Sequence, residues 1–253
     1  MKPTFLNQEK PILTVMLKHS QTPDTYIEEI RRALSAGAEA FGLQAECLAR
    51  HFHTEENFRR IFAEMQEKPL YITNYKLGAN ENLSYDALAD ELLSYAEWGA
   101  TLCDVMGDMF DKHPEELTQD AQAIEKQMQL IERLHEKGAE VMMSSHVNQF
   151  ISAEKVLEIA LEHQRRGADI SKIVTHANSM EQQIENLRIT NLLKEKLDIP
   201  FLYLSGGECR LHRRVGILAG CCMSLCVCEL PPGSKNPQPL IEDQRRIRDS
   251  MGF

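Results

Sequence analysis

The alternation of apolar and polar positions along the chain predicts a series of strand–helix units. Eight apolar runs have the length of a buried strand, and amphipathic stretches with helical spacing lie between them. The predicted strands cover residues 12–17, 40–44, 70–74, 102–105, 141–145, 170–174, 201–204 and 225–228. Strictly alternating strands and helices require a parallel sheet, and eight of each fit a closed barrel better than an open sheet. We therefore expect an α/β protein with a single (β/α)8 TIM barrel, in which residues 1–253 form one domain.

A Gly-Ala pair marks the same junction in four of these units. It stands where a predicted helix ends and the next strand begins, at Gly37, Gly99, Gly138 and Gly167. Glycine is the usual residue there because it accepts the left-handed conformation that follows a helix. The repeated junction supports a repeated unit, and active sites in such barrels lie at the carboxyl ends of the strands.

Two neighbouring predicted strands carry a histidine and a lysine toward the barrel mouth. His146 stands at the end of the fifth strand, in MSSHVNQF, and Lys172 lies within the sixth, in GADISKIV. Alternate residues of a strand share a face, and neighbouring strands are about 4.8 Å apart. We therefore expect both side chains to face one substrate. Taken alone, each is more often structural, because most such lysines are solvated or salt-bridged.

The pair has a specific chemical use. An amine buried among apolar residues such as Ile170, Ile173 and Val174 is more often neutral, and a neutral amine attacks a ketone to form an imine. The imine acidifies the neighbouring C–H, and a histidine removes that proton and later protonates a departing hydroxyl. Lysine and histidine on adjacent strands thus favour elimination or aldol chemistry next to a carbonyl.

The loops after the seventh and eighth predicted strands contain the residues of an anion site. The first, YLSGGECRLHRRVGILAG, includes Arg210, Arg213 and Arg214, and arginine binds a carboxylate or a phosphate through a planar pair of N–H groups. The second, PPGSKNPQPL, adds Ser234 and Gln238. These two loops commonly bind the anion in barrels of this type. The sequence therefore predicts an acidic substrate.

Composition and charge narrow the possible partners. The formal net charge is −10, with 43% hydrophobic and 26% charged residues, as in globular proteins whose partner is neither a nucleic acid nor an anionic membrane. The first residues show no signal-peptide pattern and the chain has no long apolar run, so we expect a cytoplasmic protein. Seven cysteines then favour free thiols. The four between positions 221 and 228 are interpreted as packing residues rather than as a metal site.

Nearly the whole chain, from ILTVMLKHS to the loop that contains Gln238, resembles the type I 3-dehydroquinate dehydratases, barrel enzymes of the shikimate pathway that form a lysine imine. The most specific segments are MSSHVNQF, GADISKIV, LSGG…RRVGILAG and GSKNPQ. The resemblance implies that Lys172 is the Schiff-base lysine and His146 the general acid/base of a lyase that converts 3-dehydroquinate to 3-dehydroshikimate. It also implies a carboxylate-binding set of Arg214, Ser234 and Gln238.

The resemblance also bears on the choice of arginine, the cofactors and the assembly. The family's carboxylate-binding arginine aligns with Arg214, and an alignment shifted by one residue, to Arg213, is the second choice. No metal or organic cofactor is implied, and the expected partner is a small keto acid that carries a carboxylate. A homodimer is the expected assembly.

The positions that would bind the ring hydroxyls of the substrate depart from the family pattern. The second strand, GLQAE, leaves Gln44 and Glu46 as substrate-binding candidates, and Asn74 stands where the family has an arginine. The glutamate that supports the histidine should fall near Gly78 and is absent, and Glu81 is close enough in sequence to replace it. A site that loses matched polar contacts loses about 10⁴-fold or more in selectivity. We therefore expect poor turnover of 3-dehydroquinate and a different keto acid as substrate.

Three other functions use residues of the same set. A Schiff-base aldolase would cleave a carbon–carbon bond with the same lysine, and a product assay would distinguish it. A metal-dependent barrel isomerase or hydrolase would use Glu46, Asp104 and His146, which is a small ligand set. A keto-acid-binding homologue would keep the carboxylate site without turnover.

Overall fold

Eight parallel strands alternate with helices and form a nearly closed (β/α)8 barrel, as predicted. The computed structural model describes residues 3–17, 20–230, 233–234 and 236–252. The strands are β1 Ile12–Leu17, β2 Ala40–Gln44, β3 Leu70–Thr73, β4 Leu102–Met106, β5 Glu140–His146, β6 Ile170–His176, β7 Phe201–Gly206 and β8 Met223–Cys226. They follow one another in the order β7-β6-β5-β4-β3-β2-β1-β8. A backbone hydrogen bond of 2.9 Å from Cys222 N to Phe201 O connects the two ends of this series.

The helix boundaries follow from the sequence. The helices are α1 Pro23–Ser35, α2 Glu55–Ala63, α3 Tyr85–Trp98, α4 Ala121–Glu136, α5 Ala153–Arg165, α6 Met180–Lys196, α7 His212–Ala219 and α8 Ile241–Ser250. Side-chain oxygens of Thr22, Ser84 and Ser152 accept a backbone N–H of the first turn, which satisfies donors that have no partner within the helix. The four glycines of the Gly-Ala junctions all have positive φ, between 73° and 131°, which confirms the predicted stops. Within the described residues, no helix is both long and apolar enough to cross a membrane.

The strands differ from the prediction mainly at their carboxyl ends. Backbone pairing continues past the apolar run in β6 and β7, where His176 lies opposite Gly206. The same holds for β5, which ends at His146. Apolar periodicity misses these residues because polar side chains at the barrel mouth interrupt it. The strand β8 starts earlier than predicted because Met223 pairs with Ile12.

Inside the barrel, an apolar layer lies beneath a polar one. Leu102, Met142 and Ile170 are fully buried on the inner faces of β4, β5 and β6. Burial of each such side chain contributes about 1.5–3 kcal/mol. Two residues further along the same strands stand Asp104, Ser144 and Lys172, also buried. The apolar layer therefore fixes the strands that carry the polar groups.

Candidate active site

The side chain of Lys172 lies inside the barrel, as predicted, but its surroundings are polar. Its Nζ donates to the hydroxyls of Tyr71 and Tyr75, each at 2.8 Å, and to Asp104 Oδ2 at 3.3 Å. The residue is only 4% exposed. The prediction of apolar surroundings was wrong because the pattern of β6 shows only the lysine's neighbours along its own strand. The groups that face it come from β3, β4 and the loop after β3.

Asp104 is the centre of this hydrogen-bonded cluster. Its Oδ1 accepts from Ser144 Oγ at 2.5 Å, and its Oδ2 accepts from the hydroxyls of Tyr75, at 2.7 Å, and Tyr71. Burial opposes its ionisation, but the Lys172 ammonium and these hydrogen bonds hold the pKa of this carboxyl below its usual value. Burial and the nearby charge of Asp104 raise the pKa of both tyrosines well above the ordinary value. The phenols therefore stay protonated around an ionised carboxylate.

His146 is held at the end of β5 by Glu116, which belongs to the loop after β4. Glu116 Oε2 lies 2.8 Å from His146 Nδ1 and 2.7 Å from its backbone N. Burial opposes ionisation of Glu116, but the hydrogen bonds and charge of His146 hold its pKa below the ordinary value. Glu81, the carboxylate expected in this role, lines the same cavity, but Glu116 occupies the position. The sequence near β3 could not predict the role of Glu116, because Glu116 lies in the loop after β4.

The loop that carries Glu116 is fixed from below. Ser145 Oγ donates to the backbone O of Glu116 at 2.6 Å and lies 3.0 Å from His163 Nε2. Burial lowers the pKa of His163 to about 3, so this imidazole is neutral. The fully buried guanidinium of Arg166 donates to Thr118 O at 2.8 Å. Glu116 itself has a φ of 46°, a left-handed conformation that is uncommon outside glycine and recurs at functional sites.

Tyr75 connects the lysine to the histidine. Its hydroxyl binds Lys172, and its ring meets the ring of His146 at a centroid distance of 5.3 Å and an interplanar angle of 79°. This edge-to-face contact is a favourable arrangement for two aromatic rings. Tyr75 was not among the site residues predicted from the sequence. Alternation along the strand from Tyr71 through Thr73 would have placed it on the inner face.

The structure does not bring Asn74 into this site. Its Nδ2 donates to Leu88 O at 3.1 Å and to Glu91 Oε2 at 3.0 Å, and its Oδ1 accepts from Asn80 Nδ2 at 2.7 Å. The side chain is buried against α3. Alternation along β3 explains the difference, since Thr73 faces inward and the next residue faces outward.

Gln44 is the last residue of β2, and Glu46 lies two residues further along the chain. Gln44 lines the mouth cavity and donates to Glu46 Oε1 at 3.2 Å. Glu46 is 1% exposed, accepts from Thr73 Oγ1 at 2.9 and 3.0 Å, and lines a separate cavity. Burial raises its pKa to about 7, although hydrogen bonds from the backbone and from Thr73 act in the opposite direction. Gln44 therefore lies at the site, and Glu46 lies behind it.

A cavity of 720 Å³ opens at the barrel mouth beside the histidine. Its walls include Tyr75, Glu116 and His146, with Gln44 and Glu81 nearby. This volume lies within the range of small-molecule sites. The cavity gives a ligand access to the imidazole.

Arg213 and Arg214 differ in their contacts. Arg213 Nε donates to Ser205 O at 2.8 Å, at the end of β7. Burial and the charge of Arg210 lower the pKa of Arg213 to about 10, which leaves it charged at neutral pH, and among the described residues no carboxylate pairs with it. Arg214 is fixed instead through its backbone O, which accepts from Gln244 Nε2 at 2.8 Å. The two candidate arginines therefore differ in how they are held, Arg213 through its guanidinium and Arg214 through its backbone.

The loop after β8 is described only in part, because Pro231, Pro232 and Lys235 lie outside the described residues. Ser234 is exposed, and its Oγ accepts from Asn236 N at 3.2 Å. Gln238 is 8% exposed, and its buried Oε1 has no hydrogen-bond partner within the described part of the chain. The side-chain amide of Gln238 can therefore form a further hydrogen bond with a ligand, through its oxygen or, if the amide is rotated, through its nitrogen.

The candidate metal ligands and the clustered cysteines have other roles. Asp104 pairs with the lysine and His146 with Glu116, and the described residues contain no group of three or more His, Cys, Asp or Glu side chains that could hold a metal ion. Burial raises the pKa of both Cys221 and Cys226 to about 12. Both thiols are therefore protonated at neutral pH.

Three solved structures have folds similar to that of this chain. The chain has a TM-score of 0.81 with the 3-dehydroquinate dehydratase of Geobacillus kaustophilus HTA426, at 17% identity over 96% of this chain and 91% of that one. It has the same TM-score with the type I enzyme of Clostridium difficile, at 16% identity over 96% and 93%. The dehydratase of Enterococcus faecalis gives a TM-score of 0.75, at 17% identity over 98% of both chains.

At these identities the structural likeness shows the fold, and the family model shows the family. No curated protein matches the sequence. The model of the type I 3-dehydroquinases, however, matches residues 15–251, which is most of the barrel. This chain therefore belongs to the type I 3-dehydroquinase family, whose members are dehydratases that act through a Schiff-base lysine.

Proposed function

We propose that the protein eliminates water from a keto acid through an imine on Lys172. Lys172 attacks the ketone, and His146 removes a proton from the adjacent carbon and returns it to the leaving hydroxyl. Water then hydrolyses the imine and releases the product. One observation carries this proposal: Lys172 and His146 lie on the inner faces of two strands that are paired with each other. In this pairing Ser144 is opposite Lys172, and Val174 is opposite His146.

The substrate in this proposal carries a carboxylate bound by Arg213, with Gln238 and Ser234 as further contacts. The support for Arg213 is its half-buried guanidinium, which donates to Ser205 O and has no acidic partner among the described residues. Gln44 and Tyr75 face the region where ring hydroxyls would lie. Because Gln44 departs from the family pattern, we expect slow turnover of 3-dehydroquinate and faster turnover of a related keto acid.

Borohydride reduction followed by mass spectrometry tests the imine. The probes are 3-dehydroquinate and comenic acid, since the Clostridium difficile dehydratase was crystallised with covalently modified comenic acid. An adduct mapped to Lys172 and absent from Lys172→Met is the expected result. No adduct with either probe, or one on another lysine, would refute the proposal. Conversion of 3-dehydroquinate at an ordinary enzymatic rate would instead refute only the expectation of a changed substrate.

We also propose a homodimer in the cytoplasm. Three apolar side chains at helical spacing on α6 support the dimer, because Met180, Ile184 and Leu187 are 62%, 62% and 41% exposed. The five described cysteines from position 209 to position 228 form no disulfide, which fits a reducing compartment. Subcellular fractionation tests the location.

A further inference from the structure

Imine formation needs a neutral amine, and the structure surrounds Lys172 with groups that stabilise its charged form. We infer that Asp104 takes a proton from Lys172 before attack and later returns it to the hydroxyl of the carbinolamine. Asp104 is then a catalytic residue, because it contacts the nitrogen that reacts. This inference rests on the proposed imine mechanism and adds a proton acceptor distinct from His146.

The geometry provides a direct and a relayed path for the proton. Asp104 Oδ2 lies 3.3 Å from Lys172 Nζ. The hydroxyls of Tyr71 and Tyr75 each lie 2.8 Å from Nζ, and both donate to the same Oδ2. A hydroxyl that accepts a proton from nitrogen can therefore release its own to the carboxylate.

The two carboxylate oxygens have different surroundings. Ser144 Oγ donates to Oδ1 of Asp104 at 2.5 Å, so Oδ2 is the oxygen that faces the amine. His146 contacts Glu116 through its Nδ1 and, within the described residues, makes no hydrogen bond to Lys172. In the described part of the chain, Asp104 is the carboxylate paired with Lys172. The proton from the lysine therefore has a defined destination.

The proton count closes without another reactant. The ammonium gives one proton to Asp104, and the amine attacks the carbonyl carbon as the C=O π bond breaks. A second proton moves from nitrogen to the new alkoxide, which gives the carbinolamine. Asp104 then protonates this hydroxyl, the C–O bond breaks, water leaves, and the nitrogen keeps one proton in the iminium.

Burial reduces the free-energy cost of this transfer, which the hydrogen bonds to the Asp104 carboxylate oppose. Moving the proton converts a buried ion pair into two neutral groups, and a low-dielectric environment penalises charges more than neutral polar groups. A substrate that excludes water from the barrel mouth strengthens this effect. When the iminium forms, Asp104 becomes a carboxylate again and stabilises the new positive charge.

The test compares wild type with Asp104→Asn, which removes the charge and keeps the shape. The measured quantity is the rate at which comenic acid or 3-dehydroquinate becomes trapped on Lys172 by borohydride, from about pH 6 to pH 9. We expect trapping to fall about 10²-fold, the lower range for a general acid/base. If Asp104 is only a counter-ion, its removal favours the neutral amine, and trapping would be unchanged or faster. That result would overturn the inference.

Three controls distinguish the loss of the Asp104 carboxylate from a loss of folding and from a failure of the imine mechanism. Asp90→Asn, the same substitution at an exposed position on α3, should leave the trapping rate within about twofold of wild type. If Asp104→Asn unfolds, Asp104→Ala is assayed with added formate, a small carboxylate, and with added chloride as the control anion. Recovery of trapping with formate but not with chloride supports the inference. Equal trapping rates with the two anions oppose it. No trapping in wild type would refute the imine mechanism itself, together with this inference.

Discussion

The carboxylate of Glu116 accepts two hydrogen bonds from His146, one from the ring Nδ1 at 2.8 Å and one from the backbone N–H at 2.7 Å. A carboxylate on Nδ1 fixes the tautomer and the orientation of an imidazole and leaves Nε2 for the substrate. The backbone bond adds a second constraint, because it ties the carboxylate to the same residue. Glu116 therefore positions the proposed acid/base.

Replacement of Glu116 by glutamine should impair proton transfer more than imine formation. The amide keeps the size of the side chain but removes the charge that stabilises an imidazolium. We expect the dehydration rate of Glu116→Gln to fall about 10²-fold, with trapping of the imine on Lys172 within about threefold of wild type. The product rate and the borohydride adduct are measured on the same preparation.

Glu81→Gln is the matched control, since both glutamates line the mouth cavity and only Glu116 contacts His146 in the structure. The control should lose less than about twofold in rate. A large loss in Glu81→Gln with a normal Glu116→Gln would instead support the role that the sequence predicted for Glu81.

Arg213 and Arg214 should differ in their effect on substrate affinity. Hydrogen bonds to charged groups contribute about 1.5–3 kcal/mol, so Arg213→Met should raise KM for the keto acid roughly 10- to 100-fold. Arg214→Met should change it less than about twofold, since its structural contact is through the backbone. Initial rates across substrate concentration separate KM from kcat. A large KM effect in Arg214→Met alone would restore the register that the sequence favoured.

The fold and the placement of two residues at the barrel mouth could be predicted from the sequence because both depend on local periodicity. Alternation within β5 and β6 was enough to place His146 and Lys172 on the inner face. Their partners could not be predicted in the same way. Asp104 and Tyr75 meet the lysine across the barrel, and Glu116 reaches the histidine from an irregular loop.

Register errors account for the remaining differences. Asn74 was placed at the mouth by analogy with the family pattern, although alternation turns it toward α3. One position further, Tyr75 faces inward. The choice between Arg214 and Arg213 stays a prediction, because no strand periodicity constrains the start of a helix after a loop.

Glu46 should make stability depend on pH. Its pKa is about 7 in the folded protein against an ordinary value of 4.5, so its ionisation opposes folding. The sign is therefore a loss of stability as pH rises from 4.5 to about 7, with no further change from this group above that. At about pH 8 the cost is about 3 kcal/mol, since one pKa unit corresponds to about 1.4 kcal/mol.

Glu46→Gln removes this cost, so its stability relative to wild type should rise by about 3 kcal/mol between pH 4.5 and pH 8. Urea unfolding at several pH values measures the difference. Glu132→Gln, an exposed substitution on α4, is the control and should show no such trend. A constant difference between Glu46→Gln and wild type would mean that the Glu46 carboxyl titrates normally.

The apolar stripe on α6 should be buried in the proposed dimer. Met180 and Ile184 are each 62% exposed and lie one helical turn apart. A charge placed in an apolar interface loses its hydration without gaining a partner. Light scattering should therefore give about twice 28.9 kDa for wild type and the monomer mass for Met180→Lys/Ile184→Lys. Met128→Lys, on α4 and 40% exposed, should remain dimeric. A monomeric wild type would contradict the dimer, whereas a dimeric double variant would place the interface on another face of the barrel.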